Sequence, residues 1–160
     1  HFNNHKYGRV VMTTSSSGLY GNFGQSNYGA AKLGMIGMMN TLKIEGQKNN
    51  IRVNAIAPVA ATRMTEGLGI PEEVMAQLKP ELITPAVVYL ASDDAPTGTI
   101  IEAGAGYYSK VQIVEGKGVK LGQNATAEDV AANFDKISDM SGAKAFTMGP
   151  EVFGNIFGPG

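Results

Sequence analysis

The sequence predicts an α/β fold: parallel strands with helices between them, followed by a helical tail. Three observations carry this expectation. Residues Arg9 to Thr14 (Arg-Val-Val-Met-Thr-Thr) form a short β-branched run between Gly8 and a cluster of serines, as a strand buried on both faces does. Ile51 to Ala57 is a second run, alternating and then continuously apolar up to Pro58, which stops the ladder. Between them, Asn27 to Glu45 has helical length and is apolar almost all round, the pattern of a helix covered on several sides.

Composition sets the outer limits. A chain of 160 residues with 43% hydrophobic content can build one globular domain with a core. A net charge of −1 argues against a nucleic acid or a membrane surface held by bulk electrostatics. The lack of cysteine removes disulfides, thiolate catalysis and thiolate metal sites. No apolar stretch approaches the roughly 18 residues of a membrane span, and the first residues lack a signal-peptide pattern, so a soluble intracellular protein is expected. His1 and His5 have the spacing of a metal clamp on a helix, but at a polar chain end they read as solvated, and no metal is expected.

Taken in order, His1 to Tyr7 reads as the end of a helix and its turn, and Ser15 stands at the C-terminal end of the first strand. In open α/β sheets ligands bind at that edge. Ser16 to Ser26 reads as a Gly/Ser-rich loop that lacks the Gly-Lys-Ser/Thr ending of a phosphate loop, and Asn27 is the expected helix N-cap. In the helix, Leu33, Met35, Ile36, Met38, Met39, Leu42 and Ile44 are interleaved with Gly29, Gly34 and Gly37. Each internal glycine costs up to about 1 kcal/mol relative to alanine. Their presence implies another backbone packed closely on the helix. Gly46 to Asn50 ends it.

Further on, Pro71 to Leu78 is a short helix candidate with Pro71 at N1 and Glu72 and Glu73 in its first turn. Thr84 and Pro85 open another helix over Ala86 to Ser92, and Gly98 to Gly104 is the last strand candidate of the sheet. Tyr107 to Val114 extends as one more strand. Thr126 to Asp129 has the spacing of a capping box, opening a helix with Val130, Phe134 and Ile137 as its apolar stripe. Ala143 to Gly160, with four glycines and two prolines, is expected to be irregular.

The chemistry sits in Ser15 to Lys32. Tyr28 and Lys32 are four residues apart, so on a helix they leave the same face one turn apart. A free tyrosine titrates near roughly pH 10. A nearby ammonium favours the phenolate, and a positively charged oxidised nicotinamide would favour it further, which suits Tyr28 to general acid/base work. The Ser15 hydroxyl, presented from the strand end, can hold a substrate's hydroxyl or carbonyl oxygen meanwhile. Alone, a tyrosine and a lysine four apart read as the chance pair of an exposed helix face.

With Ser15 thirteen residues before Tyr28, and with Ile51 to Pro58 (Ile-Arg-Val-Asn-Ala-Ile-Ala-Pro), the pattern resembles the catalytic half of the short-chain dehydrogenase/reductase family. Gly21 to Tyr28 and Ala57 to Thr65 resemble more narrowly its (3R)-hydroxyacyl-CoA dehydrogenase units, found in multifunctional type 2 enzymes of fatty acid β-oxidation. The resemblance implies the C-terminal half of a doubly wound, Rossmann-like parallel sheet with a helical tail. It implies Ser15, Tyr28 and Lys32 as catalytic residues, and Tyr28, Lys32, Pro58, Ala61 and Thr62 as binders of NAD or NADP. Val59 stands where the family often has glycine. A lid over Arg63 to Leu82 would offer Met64, Leu68, Met75 and Leu78 to an acyl chain, with Arg63 and Lys79 as a cationic rim.

No Gly-rich dinucleotide turn precedes Arg9. In the family it resembles, that turn, the cofactor-selecting residue and a catalytic asparagine lie upstream, so the chain reads as a fragment. Residues 1–108 would be a partial dinucleotide-binding domain and 109–160 an extension packed on it. The implied partners are an acyl-CoA substrate and either a second copy, forming a homodimer, or the missing N-terminal half. The expected location is the cytoplasm, with the peroxisome as alternative. The leading activity is NAD(P)-dependent oxidation of a (3R)-3-hydroxyacyl-CoA to the 3-ketoacyl-CoA. A short-chain reductase of another ketone or 3-ketoacyl thioester, and a non-catalytic fragment keeping only a dimerisation surface, are the alternatives.

Overall fold

The computed structural model describes residues 1–61 and 71–158, which form two compact units, 1–111 and 112–160. In the first, a short helix α1 (Phe2–His5) leads into β1 (Gly8–Thr13), a short α2 (Ser16–Tyr20) and the long α3 (Ser26–Glu45). Then come β2 (Ile51–Pro58), α4 (Glu72–Met75), α5 (Thr84–Leu90), β3 (Ile100–Gly104) and β4 (Tyr107–Val111). The sheet order is β1-β2-β3-β4. The first three strands are parallel and β4 returns antiparallel to β3. The expected strand over 107–114 therefore stops at Val111 and runs against its neighbours.

Both faces of the sheet are covered, as the unbroken apolar runs require. On one side Ile36 and Met39 of α3 pack on Val53, Ala55 and Ile100. On the other, Ile83 and Ala86, just before and within α5, pack on Ile56 and Ala103. Each large side chain removed from water in this way contributes about 1.5–3 kcal/mol.

The polar side chains inside this core are bolts. Asn54 is fully buried; its Nδ2 donates to the Pro96 carbonyl at 2.7 Å and its Oδ1 accepts the Thr99 N–H at 3.0 Å. It ties β2 to the chain approaching β3, one step before the ladder begins at Ala55 and Ile100. At the N-terminal edge of the strands, Arg9 donates to the carbonyls of Gly8, Asn50 and Ser92. Its guanidinium also lies 4.3 Å from the Tyr7 ring centroid. The charge at the start of β1 is thus fully employed away from the strands' other edge.

Several sequence expectations are corrected. The loop expected over Ser16 to Ser26 begins as α2, because the Ser15 hydroxyl caps it by accepting the Ser17 N–H at 3.2 Å. The N-cap of α3 is Gln25, and Asn27 lies inside the helix, its Oδ1 accepting the N–H of Tyr28. Pro71 is the N-cap of α4, not N1, and the helix ends at Met75, not Leu78. Within the unit, α3 buries only Ile36 and Met39; Leu33, Met38 and Ile44 are exposed, and Gly34 and Gly37 face open space.

The second unit contains α6 (Ala127–Ala132), α7 (Phe134–Ile137) and α8 (Phe153–Phe157). The capping box forms as expected: Asp129 N–H donates to Thr126 Oγ1, and Thr126 N–H donates back to Asp129 Oδ2 at 2.9 Å. The single helix expected beyond it breaks at Asn133, leaving Val130 and Phe134 exposed. Ala143 to Gly160, expected to be irregular, contains a 3₁₀ turn at Gly149–Val152 and α8.

Candidate active site

Because β1, β2 and β3 are parallel, their C-terminal ends share one sheet edge. That edge gathers Thr13 to Ser15, Pro58 to Ala61, and Gly104. Ser15 follows β1 and is half-buried. Its oxygen accepts from Ser17, leaving the hydroxyl proton available to a substrate oxygen.

Tyr28 and Lys32, both half-buried, come from the first two turns of α3. Lys32 Nζ lies 5.7 Å from the Tyr28 ring centroid and donates to the Thr13 carbonyl at 3.1 Å, at the end of β1. The lysine therefore bridges the helix face carrying the tyrosine and the strand end carrying the serine. An ammonium, a phenol and a hydroxyl at one sheet edge can orient an oxygen and move its proton.

The backbone beneath them is built tightly. Thr14, 1% exposed, donates its hydroxyl to the main-chain carbonyl of Lys32 at 2.8 Å, and its N–H to Ile56 O. A Cβ on Gly18 would stand 2.7 Å from Lys32 Cβ, so α2 passes against the lysine's own backbone and only glycine fits there. The sequence marks the serines after β1 as a hydroxyl cluster without showing that Thr14 before them turns toward α3. The sign was strand alternation, which puts Thr14 on the sheet face of Val10 and Met12, toward α3.

After β2, Val59 N–H donates to Ala103 O and Ala61 N–H to Leu78 O at 2.7 Å. The Ala61 N–H is thus paired within the chain. Val59 is accommodated by a glycine elsewhere: a Cβ on Gly104 would come within 2.6 Å of the Val59 carbonyl oxygen and 2.9 Å of its Cβ. Met75 and Leu78 are half-buried and Lys79 is exposed. Thr62, Arg63, Met64 and Leu68 lie outside the described residues. The described residues include no group of three or more potential metal ligands. None of the described helices is long and apolar enough to cross a membrane.

Residues 1–72 match the family model for short chain dehydrogenases. A short-chain type dehydrogenase/reductase of Mycobacterium tuberculosis is 48% identical over 145 residues, 90% of this chain and 50% of that protein. Peroxisomal multifunctional enzyme type 2 of Drosophila melanogaster is 45% identical over 155 residues, 94% of this chain and 26% of that protein. The structure of the full-length Drosophila enzyme superposes with a TM-score of 0.86 at 41% identity, over 98% of this chain and 29% of that one. The chain thus spans half the length of the mycobacterial relative and about a quarter of the fly enzyme. With the serine, tyrosine and lysine at the sheet edge and these matches over most of its length, the chain belongs to the short-chain dehydrogenase/reductase family.

Proposed function

We propose that this chain carries the catalytic half of an NAD(P)-dependent dehydrogenase that oxidises (3R)-3-hydroxyacyl-CoA to 3-ketoacyl-CoA. The observation that carries the reading is the bridge made by Lys32 between Tyr28 and the end of β1, beside Ser15. In this reading Ser15 donates its hydroxyl to the substrate's C3 oxygen and fixes it. Tyr28 accepts the proton that leaves that oxygen, as general base. Lys32 keeps a positive charge beside the phenol and holds the nicotinamide ribose. A bound NAD(P) supplies the hydride acceptor.

The residues present suit such a cofactor: a half-buried ammonium at the C-terminal strand edge, with the Pro58 to Ala61 turn on the same edge. Thr62 is part of the same assignment. The acyl-thioester substrate is supported by the sequence resemblance to hydroxyacyl-CoA dehydrogenases and by the half-buried Met75 and Leu78 near Lys79. The name of the fly relative favours the peroxisome over the cytoplasm. The uncovered side of α3, with Leu33, Met38, Gly34 and Gly37, favours a homodimer through this helix.

Tyr28→Phe keeps the ring and removes the proton carrier. In the intact protein, assayed with (3R)-3-hydroxyacyl-CoA, turnover should fall by about two to four orders of magnitude. Retention of more than about a tenth of the activity would remove Tyr28 from the role. Equal rates on both 3-hydroxy enantiomers would leave a dehydrogenase of another substrate.

A further inference from the structure

The geometry points to Thr14 as a positioning residue that acts through Lys32, with Gly18 as the second jaw of the same clamp. This rests on the catalytic reading of Lys32 given above. A helix carbonyl accepts one bond from the N–H four residues on, which leaves a second lone pair. At Lys32 that lone pair takes the hydroxyl of Thr14, at 2.8 Å. Thr14 cannot drift, because it is 1% exposed and its own N–H is bonded to Ile56 of β2.

From the other side, the backbone of α2 lies where Gly18 has no Cβ, against Lys32 Cβ and within 3.0 Å of Lys32's carbonyl carbon and the Leu33 nitrogen for any atom added there. The lysine's main chain is therefore fixed by strand and helix together. Its side chain can then span back to Thr13 O. Lys48, by contrast, sits exposed in the 3₁₀ turn after α3. A buried hydroxyl spent on one lysine's carbonyl sets the height of that ammonium over the strand end.

Thr14→Val is nearly isosteric and lacks the donor, while Thr14→Ser keeps it. The first readout needs no cofactor: the rate at which acetic anhydride labels Lys32 in the intact protein, followed by peptide mass spectrometry with Lys48 as internal reference. Thr14→Val should raise the Lys32 rate threefold or more and leave Lys48 unchanged, and Thr14→Ser should restore it. The second is a cycle in kcat. Thr14→Val should lower kcat about tenfold in the wild-type background and by less than twofold with Lys32→Ala already present, because residues that act through one group are not additive.

Unchanged Lys32 labelling, or an equal loss of kcat in both backgrounds, would overturn the proposal and leave Thr14 a packing residue. Should Thr14→Val fail to fold, Gly18→Ala presses on the same backbone and must give the same rise in labelling; an unchanged rate there also overturns it. Full activity in Lys32→Ala alone would instead bring down the catalytic reading, and the proposal with it.

Discussion

Asn54→Ala tests whether a buried amide sets the pairing of β2 with β3. The side chain is fully buried, and it makes two bonds, to Pro96 O and from Thr99 N. Each is worth about 1 kcal/mol net, but truncation also strands a carbonyl and an N–H in the core, at about 1–3 kcal/mol apiece. A water entering the space recovers part of that. A net loss of about 2–5 kcal/mol is expected, since the costs overlap. For local opening that corresponds to an acceleration of amide exchange between about 30-fold and a few thousand-fold, at 1.4 kcal/mol per decade. The measurement is hydrogen exchange of the intact protein on the peptide covering 96–101, where Thr99 N–H is the reporting amide. The urea midpoint should fall with it. Exchange within threefold of wild type would show that Val53 and Ala55, which bond Gly98 N–H and Thr99 O through their own backbones, hold the crossing without the amide.

Two further outcomes follow from exposed features. Asp129 has a carboxyl held below its usual 3.8, chiefly by the Thr126 N–H and then by the Thr126 hydroxyl. A depressed folded value means that the cap supports α6 above the unfolded value and is lost as pH falls below it. Amide exchange in 126–132 should therefore quicken below about pH 4 in wild type and be pH-independent, after correction for intrinsic rates, in Asp129→Asn. Gly37→Glu adds a side chain where nothing lies within 4 Å, so the chain should fold while a homodimer through α3 is lost; sedimentation of the intact protein that shows the wild-type mass unchanged would end that reading.

The elements legible in the sequence were those whose pattern is local. Two β-branched runs gave β1 and β2 to within a residue or so, and the four-residue spacing of Tyr28 and Lys32 put both on one face of α3, beside the strand end that Ser15 follows. Thr126 and Asp129 closed their box because both partners lie within one turn. What could not be read was anything set by a distant partner. The bond from Thr14 to the Lys32 carbonyl depends on where α3 lies, the need for Gly104 depends on Val59, and the Asn54 bolt depends on the Pro96 to Thr99 path. The loop expected at Ser16 turned helical because Ser15, read as a substrate contact, also caps it.

The long helix shows best how one pattern can carry two meanings. Apolar residues on all sides of Asn27 to Glu45 imply cover on several sides, by the sheet and, as the family resemblance implies, by a second subunit; within the first unit only the Ile36 and Met39 side meets the sheet. Gly34 and Gly37 meet nothing, so close packing inside the unit does not explain why alanine was not used there. At the N-terminal end of the same helix, Gly29 does pay its way: a Cβ would come within 3.3 Å of the Ser17 carbonyl, where α2 crosses. The glycines near Tyr28 and those further along thus answer to different neighbours. The first makes room for α2 beside the tyrosine's turn of the helix. The others leave gaps between the exposed Leu33 and Met38 on the helix side opposite the core, and a helix seated on one side by Thr14 and Gly18 can offer its other side to a second subunit without moving Lys32.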